Sequence, residues 1–373
     1  MPRSESDRDT LIERAEKLGL ELIPVAEVGH PGLVNRELVA AIGAAGLFDV
    51  VFADSGVTAT DLCRIREGLA RTCPEAETAF AVQGLGGAPI QLSGGDALRE
   101  RWIPSLRSGA AVAAFALTEP GAGSDAAALE LSAESDGDGF RLTGEKAYIS
   151  NAPDADVATV FARTTPGKGS AGVTAFAVPI DSPGVSGESI AMISPHPIGR
   201  WSFDGVFVGM DAVIGEIGQG FKVAMQTLDL FRPSVGAFAL GMAEAALAIA
   251  VEHATTREAF GSPIGEFQGV SHQLADVKVG IEAARHLVYD AAGVFDDGDR
   301  EGLTGKAAMA KLASTETAQR AVDVAIQVLG ARGLEADSTL AHLYKEVRAP
   351  RIYEGTSEIQ RNIVARELFR GRI

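Results

Sequence analysis

The stretch FRLTGEKAYISNAPDADVATVFART, residues 140–164, contains two runs that are typical of β-strands, FRLTGEKAYIS and DVATVFART. A two-residue alternation puts successive side chains on opposite faces of a strand. Similar runs lie on both sides of it, and DGDG, PGKG and SPG separate them with residues that favour turns. They are AVAAFALTE (111–119), ALELSAE (128–134), GVTAFAVPI (172–180) and WSFDGVFV (201–208). The pattern predicts a β domain of hairpins over residues 111–219, and not a series of alternating βα units.

The regions before and after this β domain have apolar residues at the three-and-four spacing of helices. The positions that carry this period are Leu38, Ile42, Leu62, Ile65 and Leu69 before it, and Leu274, Val277, Ile281, Ala284, Val288, Ala321, Val324 and Val328 after it. We therefore predict an α+β fold, with a helical domain over 1–110, the β domain over 111–219 and a second helical domain over 220–373. Pro233 stands inside an apolar helical segment and predicts a kink there.

Composition and charge exclude several classes of function. The formal net charge of −17 argues against nucleic acid and anionic membranes as general partners. The charged opening residues and the lack of a long uninterrupted apolar run predict a cytoplasmic protein without a membrane span. Cys63 and Cys73 fit neither a redox nor a zinc spacing, and the six histidines form no cluster at ligand spacing, so we expect no metal site.

Two neighbouring segments carry the strongest chemical signal. In FALTEPGAGSD, residues 115–125, a β-run ends in two glycines, which let backbone amides approach a ligand closely. In LTGEKAYISNA, residues 142–152, regular alternation would place Tyr148 and the Ser150 hydroxyl on one face of a strand. Such a face is suited to flank a flat heterocycle.

These two segments resemble the acyl-CoA dehydrogenase family, and three further motifs follow in the family's order. The further motifs are TREAFGSPIGEFQ (256–268), QVLGARGL (327–334) and IYEGTSEIQRNIVAREL (352–368). The resemblance implies an N-terminal helical domain, a middle β-barrel-like domain and a C-terminal domain like a four-helix bundle. It further implies FAD between the middle domain and the C-terminal helices, a homo-oligomer that is usually a tetramer, an acyl-CoA substrate, and an electron-transferring flavoprotein as electron acceptor.

The resemblance also assigns roles to individual residues. Thr118 is expected near the pyrimidine edge of the flavin, Ser124 at the CoA thioester arm, and Ser150 at flavin N5. Arg257, Phe260 and Gln268 match positions that hold the FAD of a neighbouring subunit. The full set of cofactor residues that the resemblance implies is Phe115, Leu117, Thr118, Gly123, Ser124, Tyr148, Ile149, Ser150, Arg257, Phe260, Gln268, Gln327, Gly330, Thr356 and Glu358.

Glu354 is the catalytic base that the resemblance implies. It precedes a glycine that opens a turn, and the following TSE is typical of a helix start with a hydroxyl cap. A proton α to a thioester carbonyl is a poor acid, so the reaction needs a base within reach and donors at the carbonyl oxygen. In the family the backbone amide of the glutamate is one of those donors. We expect an apolar setting to raise the pKa of the Glu354 carboxyl and so make it a better base.

The substrate side departs from the family pattern at Phe231. Substrate contacts are expected from Ser124, Asp229, Phe231, Arg232 and Gly355, with Asp229 and Arg232 at the CoA adenine end. In a minority of the family the base instead lies at the position that is Phe231 in this chain, so that alternative base is excluded here. A bulky ring at this position favours short, branched or cyclic acyl groups.

Two further departures concern the segment expected to hold the dinucleotide backbone and the edge of the acyl pocket. Ala331 and Arg332 replace a glycine and a small polar residue. The segment GLFDVVFADSGVTATD, residues 46–61, lacks the family's usual turn.

Other functions remain open at this point. The acyl group is carried either by CoA or by a carrier protein, because both have a thioester on a pantetheine arm. A flavin oxidase or monooxygenase on the same fold is an alternative, although Glu354 favours desaturation. A binding protein without activity is disfavoured by that glutamate and by the net charge. A nicotinamide enzyme is disfavoured because GLGGAP, residues 84–89, does not follow a strand in a βαβ unit.

Overall fold

The computed structural model describes residues 5–54, 56–167, 169–299 and 301–373 of the 373-residue chain. Helices come first, strands follow, and helices return. The helices are α1 (Glu5–Glu27), α2 (Arg36–Ala44), α3 (Asp49–Phe52), α4 (Ala59–Thr72), α5 (Pro74–Ser93), α6 (Asp96–Ser108), α7 (Gly220–Thr256), α8 (Gln268–Asp296), α9 (Leu303–Leu329), α10 (Thr339–Glu346) and α11 (Ser357–Phe369). The strands are β1 (Ala113–Ala116), β2 (Ser132–Asp136), β3 (Gly139–Ser150), β4 (Val157–Arg163), β5 (Val173–Pro179), β6 (Val185–Ser189), β7 (Ile198–Gly209), β8 (Val213–Ile214), β9 (Glu258–Ala259) and β10 (Ser262–Pro263). The predicted α+β class and the helix–strand–helix order are confirmed.

Eight strands form one sheet with the hydrogen-bonded order β6-β7-β3-β2-β4-β5-β8, and β1 pairs with β4. The hairpins predicted from turn residues are present as β2–β3 and β4–β5, but β1 runs parallel to β4. The strand β6 was missed because its VSGES sequence is short and polar, and most of it is exposed. The run ALELSAE was placed too early, since residues 126–128 form a helical turn before β2 begins at Ser132.

The chain divides into two compact units that cut across the predicted first domain. The helical unit comprises the described residues of Met1–Glu21, Ala59–Glu77 and Asp229–Ile373. The sheet unit comprises the described residues of Leu22–Thr58 and Thr78–Leu228. The predicted domain over residues 1–110 contributes to both units: α4 belongs to the helical unit, whereas α2, α3 and α6 belong to the sheet unit. Sequence periodicity finds helices but does not show which partner each one packs against.

Within the helical unit, α4 packs against α8, and α9 packs against α8 and α11. The buried carboxylate of Glu67 on α4 accepts hydrogen bonds from Arg71, Arg285 and the Tyr289 hydroxyl, so it ties α4 to α8. Gly241 on α7 lies so close to α4 that an added Cβ would clash with the Glu67 carbonyl oxygen. The glycine therefore permits α7 and α4 to pack closely.

The predicted apolar faces are mostly correct. In α8 the residues Val277, Ile281, Ala284 and Val288 are buried, as their spacing indicated. In α9 the buried face is instead centred on Ala318, Ala321, Val322 and Ala325, while Val324 and Val328 are only partly covered. Small residues dominate that face, so the larger apolar side chains misled the periodicity argument.

The helix α7 runs without a break through Pro233. The segment around this proline, residues 230–243, is buried within the protein. Among the described residues α7 is long and apolar enough to cross a membrane, but 72% of its apolar window is buried inside the protein. That degree of burial is typical of a core helix.

Candidate active site

The segment 115–125 forms a tight, glycine-rich loop at the end of β1 in the sheet unit. Backbone bonds in both directions join Glu119 and Ala122, each at 3.1 Å, and close the turn. A Cβ added at Gly121 or Gly123 would meet no atom within 4 Å. Packing of the protein alone therefore does not require glycine there, and the free space in front of the backbone suits a ligand that approaches closely. Ser124 is exposed beside these glycines.

A buried ion pair anchors this loop. The Lys146 ammonium group on β3 lies 2.7 Å from a carboxylate oxygen of Glu119 and also donates to the Leu117 carbonyl at 3.0 Å. The same carboxylate accepts from the backbone amides of Glu130 and Leu131. Burial lowers the pKa of the Lys146 ammonium to about 8, and the charge of Glu119 opposes that fall. Both residues lie inside the two quoted motifs, but sequence reasoning assigned them no role.

The end of β3 lies beside the same loop, because the Ala147 amide donates to the Thr118 carbonyl at 3.0 Å. The pairing of β3 with β7 shifts register between Lys146 and Ile149. The regular alternation assumed for Tyr148 and Ser150 is therefore interrupted. Tyr148 is nonetheless 61% exposed, whereas the Ile149 side chain is buried in the sheet unit.

Asn151 follows β3 and fixes the turn that ends it. Its side-chain amide donates to the Ala113 carbonyl at 2.9 Å, and its backbone amide donates to the Pro197 carbonyl at 2.8 Å. The first bond connects the end of β3 to the start of β1 and so holds the two motifs of the sheet unit together, and the second connects it to the residue before β7. The residue stands in the quoted motif, but only the structure shows what it does.

In the helical unit, the residues of the TREAFGSPIGEFQ motif lie on an exposed hairpin before α8. The strands β9 and β10 pair across a turn that contains Phe260, whose side chain is 98% exposed. Arg257 and Gln268 are exposed as well. Burial lowers the pKa of His253, and the positive charges of Arg332 and Arg257 lower it further. Arg257 and Arg332 therefore lie near enough to His253 for their charges to act on it.

Gln327 and Gly330 lie at the exposed end of α9. Gly330 adopts φ +61° and caps the helix, and its amide donates to the Ile326 carbonyl. An added Cβ at Gly330 would meet no atom within 4 Å. Arg332, which stands where the family usually has a small polar residue, lies in the helical turn directly after this cap.

Glu354 lies in the turn before α11. Thr356 is the N-cap of that helix, and its hydroxyl accepts from the Ile359 amide at 3.3 Å, as the sequence predicted. Glu358 stands exposed in the first turn, where bonds from its own backbone amide and from Thr356 lower the pKa of its carboxyl. The positive φ of +94° at Gly355 lets the chain turn directly after Glu354.

Three side chains hold the two carbonyl groups of this turn. Arg232 on α7 donates to the Glu354 carbonyl at 3.3 Å. Gln360 on α11 donates to the carbonyls of Glu354 and Gly355 at 3.2 and 2.9 Å. Lys311 on α9 donates to the Gly355 carbonyl at 2.6 Å. The backbone at Glu354 is therefore fixed by donors from three different helices.

The Glu354 carboxylate itself is placed to act as a base. Its Oε2 atom is buried and has no hydrogen-bond partner among the described residues. Burial raises the pKa of the Glu354 carboxyl above its ordinary value, and the positive charges of Arg66, Lys311 and Arg232 oppose that rise. A desolvated carboxylate with an unused acceptor oxygen is suited to accept a proton.

Of the substrate residues predicted on α7, Arg232 contacts the backbone of Glu354. Arg232 is 6% exposed and pairs with Asp229 at 3.2 Å, and Asp229 also accepts from Thr304. Arg232 thus holds the Glu354 backbone, and its contact with the adenine end of CoA stays a prediction. Phe231 is fully buried.

Backbone strain marks the same motifs independently. Four described non-glycine residues have left-handed backbone: Tyr148 at φ +57°, Asn151 at +66°, Phe260 at +54° and Glu354 at +52°. Every one lies in a quoted motif. Such conformations persist only where the surrounding structure imposes them, and they concentrate at functional sites.

Among the described residues, no group of three or more His, Cys, Asp or Glu side chains is arranged to hold a metal ion.

Models of the N-terminal, middle and C-terminal domains of acyl-CoA dehydrogenase match residues 6–110, 114–206 and 218–369. The chain belongs to the acyl-CoA dehydrogenase family. It is a flavin-dependent oxidoreductase, its cofactor is FAD, and it catalyses dehydrogenation of acyl-CoA.

The similarity to known proteins covers nearly the whole chain. The short-chain specific acyl-CoA dehydrogenase of human mitochondria is 36% identical over 356 residues, which cover 94% of this chain and 84% of the human protein. The structure of butyryl-CoA dehydrogenase from Megasphaera elsdenii matches with a TM-score of 0.90 and 32% identity over 99% of each chain. The prolyl acyl carrier protein oxidase AnaB matches with a TM-score of 0.91 and 26% identity over 98% of this chain and 100% of that chain.

Proposed function

We propose that this acyl-CoA dehydrogenase acts on a short, branched or cyclic acyl-CoA, with Glu354 as the base that removes the α-proton. The observation that carries the role of Glu354 is its turn: Arg232, Gln360 and Lys311 hold the backbone carbonyls of residues 354 and 355. The buried Oε2 atom of the carboxylate keeps an unused acceptor position. FAD, when bound, supplies the acceptor for the hydride that leaves the β-carbon. The product is a trans-2-enoyl thioester.

Within this reaction the residues of the chain bind, orient and move a proton. The Glu354 carboxylate takes the α-proton, and its backbone amide donates to the thioester carbonyl oxygen, where negative charge develops. Thr118 and Ser150 are proposed to contact the flavin and Ser124 the pantetheine arm. The free space at Gly121 and Gly123 and the exposed ring of Tyr148 fit a flat cofactor there.

We propose a homotetramer in which the exposed residues around Arg257 contact the FAD of another subunit. Phe260 supports this, since a fully exposed aromatic side chain on strained backbone is costly unless a partner covers it. The nearby arginines 257 and 332 supply positive charge suited to a pyrophosphate. We assign Gln327 and Gly330 to the same group of residues that contact FAD.

Replacing Arg257 with Ala should weaken FAD binding about tenfold or more, because one charge-assisted contact to a phosphate is lost. The measurement is the FAD dissociation constant by fluorescence titration, with the oligomeric state followed by light scattering. Arg320→Ala is the matched control, since Arg320 is an exposed arginine of the same unit in an exposed ion pair. Unchanged FAD affinity in Arg257→Ala, or a strictly monomeric holoenzyme, would contradict the proposed subunit contact.

Replacing Phe231 with Ala should shift substrate preference toward longer straight acyl chains. A filled pocket penalises each added group by about 1–3 kcal/mol, and removal of the ring relieves that penalty. The measurement compares kcat/KM for a short branched, a cyclic and a palmitoyl thioester on both proteins. Leu230→Ala removes a neighbouring buried side chain and controls for general loosening of the helix. The size argument fails if palmitoyl is the best substrate of the wild type, or if both variants change preference alike.

A thioester on a carrier protein is the second candidate substrate, and the similarity to the prolyl acyl carrier protein oxidase favours keeping it. For the reduced flavin we propose an electron-transferring flavoprotein as acceptor. One experiment tests both choices: turnover of the FAD-loaded protein with the same acyl group on CoA and on a carrier protein, with either that flavoprotein or oxygen as acceptor. Faster turnover with the carrier thioester would replace the CoA proposal, and faster turnover with oxygen would indicate an oxidase.

A further inference from the structure

Three buried cations surround Glu354 within the helical unit, and two of them already have carboxylate partners. Arg66 on α4 forms an ion pair with Glu77 and donates to the Ser234 hydroxyl at 2.7 Å. Arg232 on α7 pairs with Asp229. The charge of each arginine is therefore largely balanced before Glu354 is considered.

Lys311 on α9 is different. It is 1% exposed, and its ammonium group donates to the Gly355 carbonyl at 2.6 Å and lies 6.0 Å from the centroid of the Tyr353 ring. In the part of the chain that the structure describes, no carboxylate lies within ion-pair distance of it. A buried cation without an opposite charge is strongly unfavourable, so a nearby anion is needed.

Glu354 is the anion that meets this need. Burial lowers the pKa of the Lys311 ammonium to about 8, and the negative charge of Glu354 opposes that fall. The reverse effect holds as well, since Lys311 and the two arginines oppose the rise in the pKa of Glu354. The other titratable groups nearby are Tyr353, which is adjacent in the chain, and Glu346 on α10, which acts on Tyr353.

We propose that Lys311 is the positioning residue of the base: it holds the Glu354–Gly355 turn through the Gly355 carbonyl and supplies the counter-charge that keeps Glu354 ionised until it accepts the α-proton. In that step the α C–H bond breaks, its proton moves to the Glu354 carboxylate, and its electron pair stays with the substrate. Lys311 then faces a neutral acid. Its unbalanced charge favours release of that proton and return of the base to its ionised form.

The inference rests on the proposed role of Glu354. Three substitutions separate the hydrogen bond that Lys311 donates to Gly355 from the charge that it supplies to Glu354. Lys311→Arg keeps both charge and donor. Lys311→Gln keeps a donor for the Gly355 carbonyl but removes the charge. Lys311→Met removes both. The first measurement is kcat/KM against pH for the FAD-loaded variants with the best acyl-CoA.

Loss of the counter-charge should raise the pKa of the Glu354 carboxyl. Because the ionised base is needed for activity, the acid limb of the profile of kcat/KM against pH should then move to higher pH. We expect an upward shift of about one pH unit in Lys311→Gln and Lys311→Met, and a limb close to wild type in Lys311→Arg. A purely structural role predicts a different pattern, in which Gln behaves as wild type and Met is slower at every pH. That pattern would overturn the proposal.

A second measurement does not depend on activity. Unfolding of wild type, Lys311→Gln, Glu354→Gln and the double variant forms a double-mutant cycle, which isolates the interaction between the two side chains. We expect clear coupling, with the double variant more stable than the two single effects predict. Additive effects would overturn the proposal even if Lys311→Met does not fold. If the wild type instead fails to be reduced by any thioester, the proposed function falls, whereas a coupled cycle would still show the charge pair.

Discussion

Replacing Glu354 with Gln should slow reduction of the flavin by acyl-CoA by about 10²–10⁴, the usual contribution of a positioned general base. Gln retains the shape of the side chain, and the contacts made by the backbone carbonyl of residue 354 do not depend on it. FAD content and thioester binding should therefore change little. The measurement is the single-turnover rate under anaerobic conditions, with thioester affinity taken from the concentration dependence.

The matched control is Glu301→Gln. This carboxylate lies in the same helical unit but is exposed and belongs to none of the matched motifs. The control should keep most of the reduction rate. If Glu354→Gln is reduced at the wild-type rate, another group removes the proton and the assignment of the base is wrong.

Replacing Lys146 with Met should destabilise the protein by about 3–5 kcal/mol, because it leaves the buried Glu119 carboxylate without its cation. Glu119 would keep two backbone donors, which do not neutralise its charge. The loop that carries Thr118, Gly123 and Ser124 should lose its anchor, so we also expect weaker binding of FAD. Chemical denaturation and FAD titration measure the two effects.

Arg200→Met is the control for this substitution. Arg200 lies on the neighbouring strand β7 in an ion pair with Glu188, and both side chains are more than half exposed. Removing an exposed pair typically costs about 0–1 kcal/mol and should leave FAD binding intact. Equal losses in the two variants would show that burial of the Lys146–Glu119 pair is not important for the loop.

Local sequence signals predicted the features that depend on neighbours in the chain. The order of helices and strands follows from periodicity, and the Thr356 cap follows from a hydroxyl directly before a helix. The matched motifs contain all four described non-glycine residues with left-handed backbone, including Glu354.

Features that depend on contacts between distant segments were not predictable in the same way. Lys311 and Arg232 are far from Glu354 in the chain, and only the packing of α7 and α9 brings them to its turn. The division of the N-terminal helices between two units has the same origin, since α4 and α6 look alike as amphipathic segments. The register shift at Tyr148 depends on how β3 pairs with β7. Periodicity describes single elements and contains no information on these pairings.

The most direct test of the central claim is an anaerobic titration of the FAD-loaded protein with a series of acyl-CoAs, from short straight chains through branched and cyclic groups to palmitoyl. Short, branched or cyclic thioesters are expected to bleach the oxidised flavin and to yield the trans-2-enoyl thioester. No bleaching by any of these thioesters, in protein whose FAD is fully reduced by dithionite, would contradict that claim.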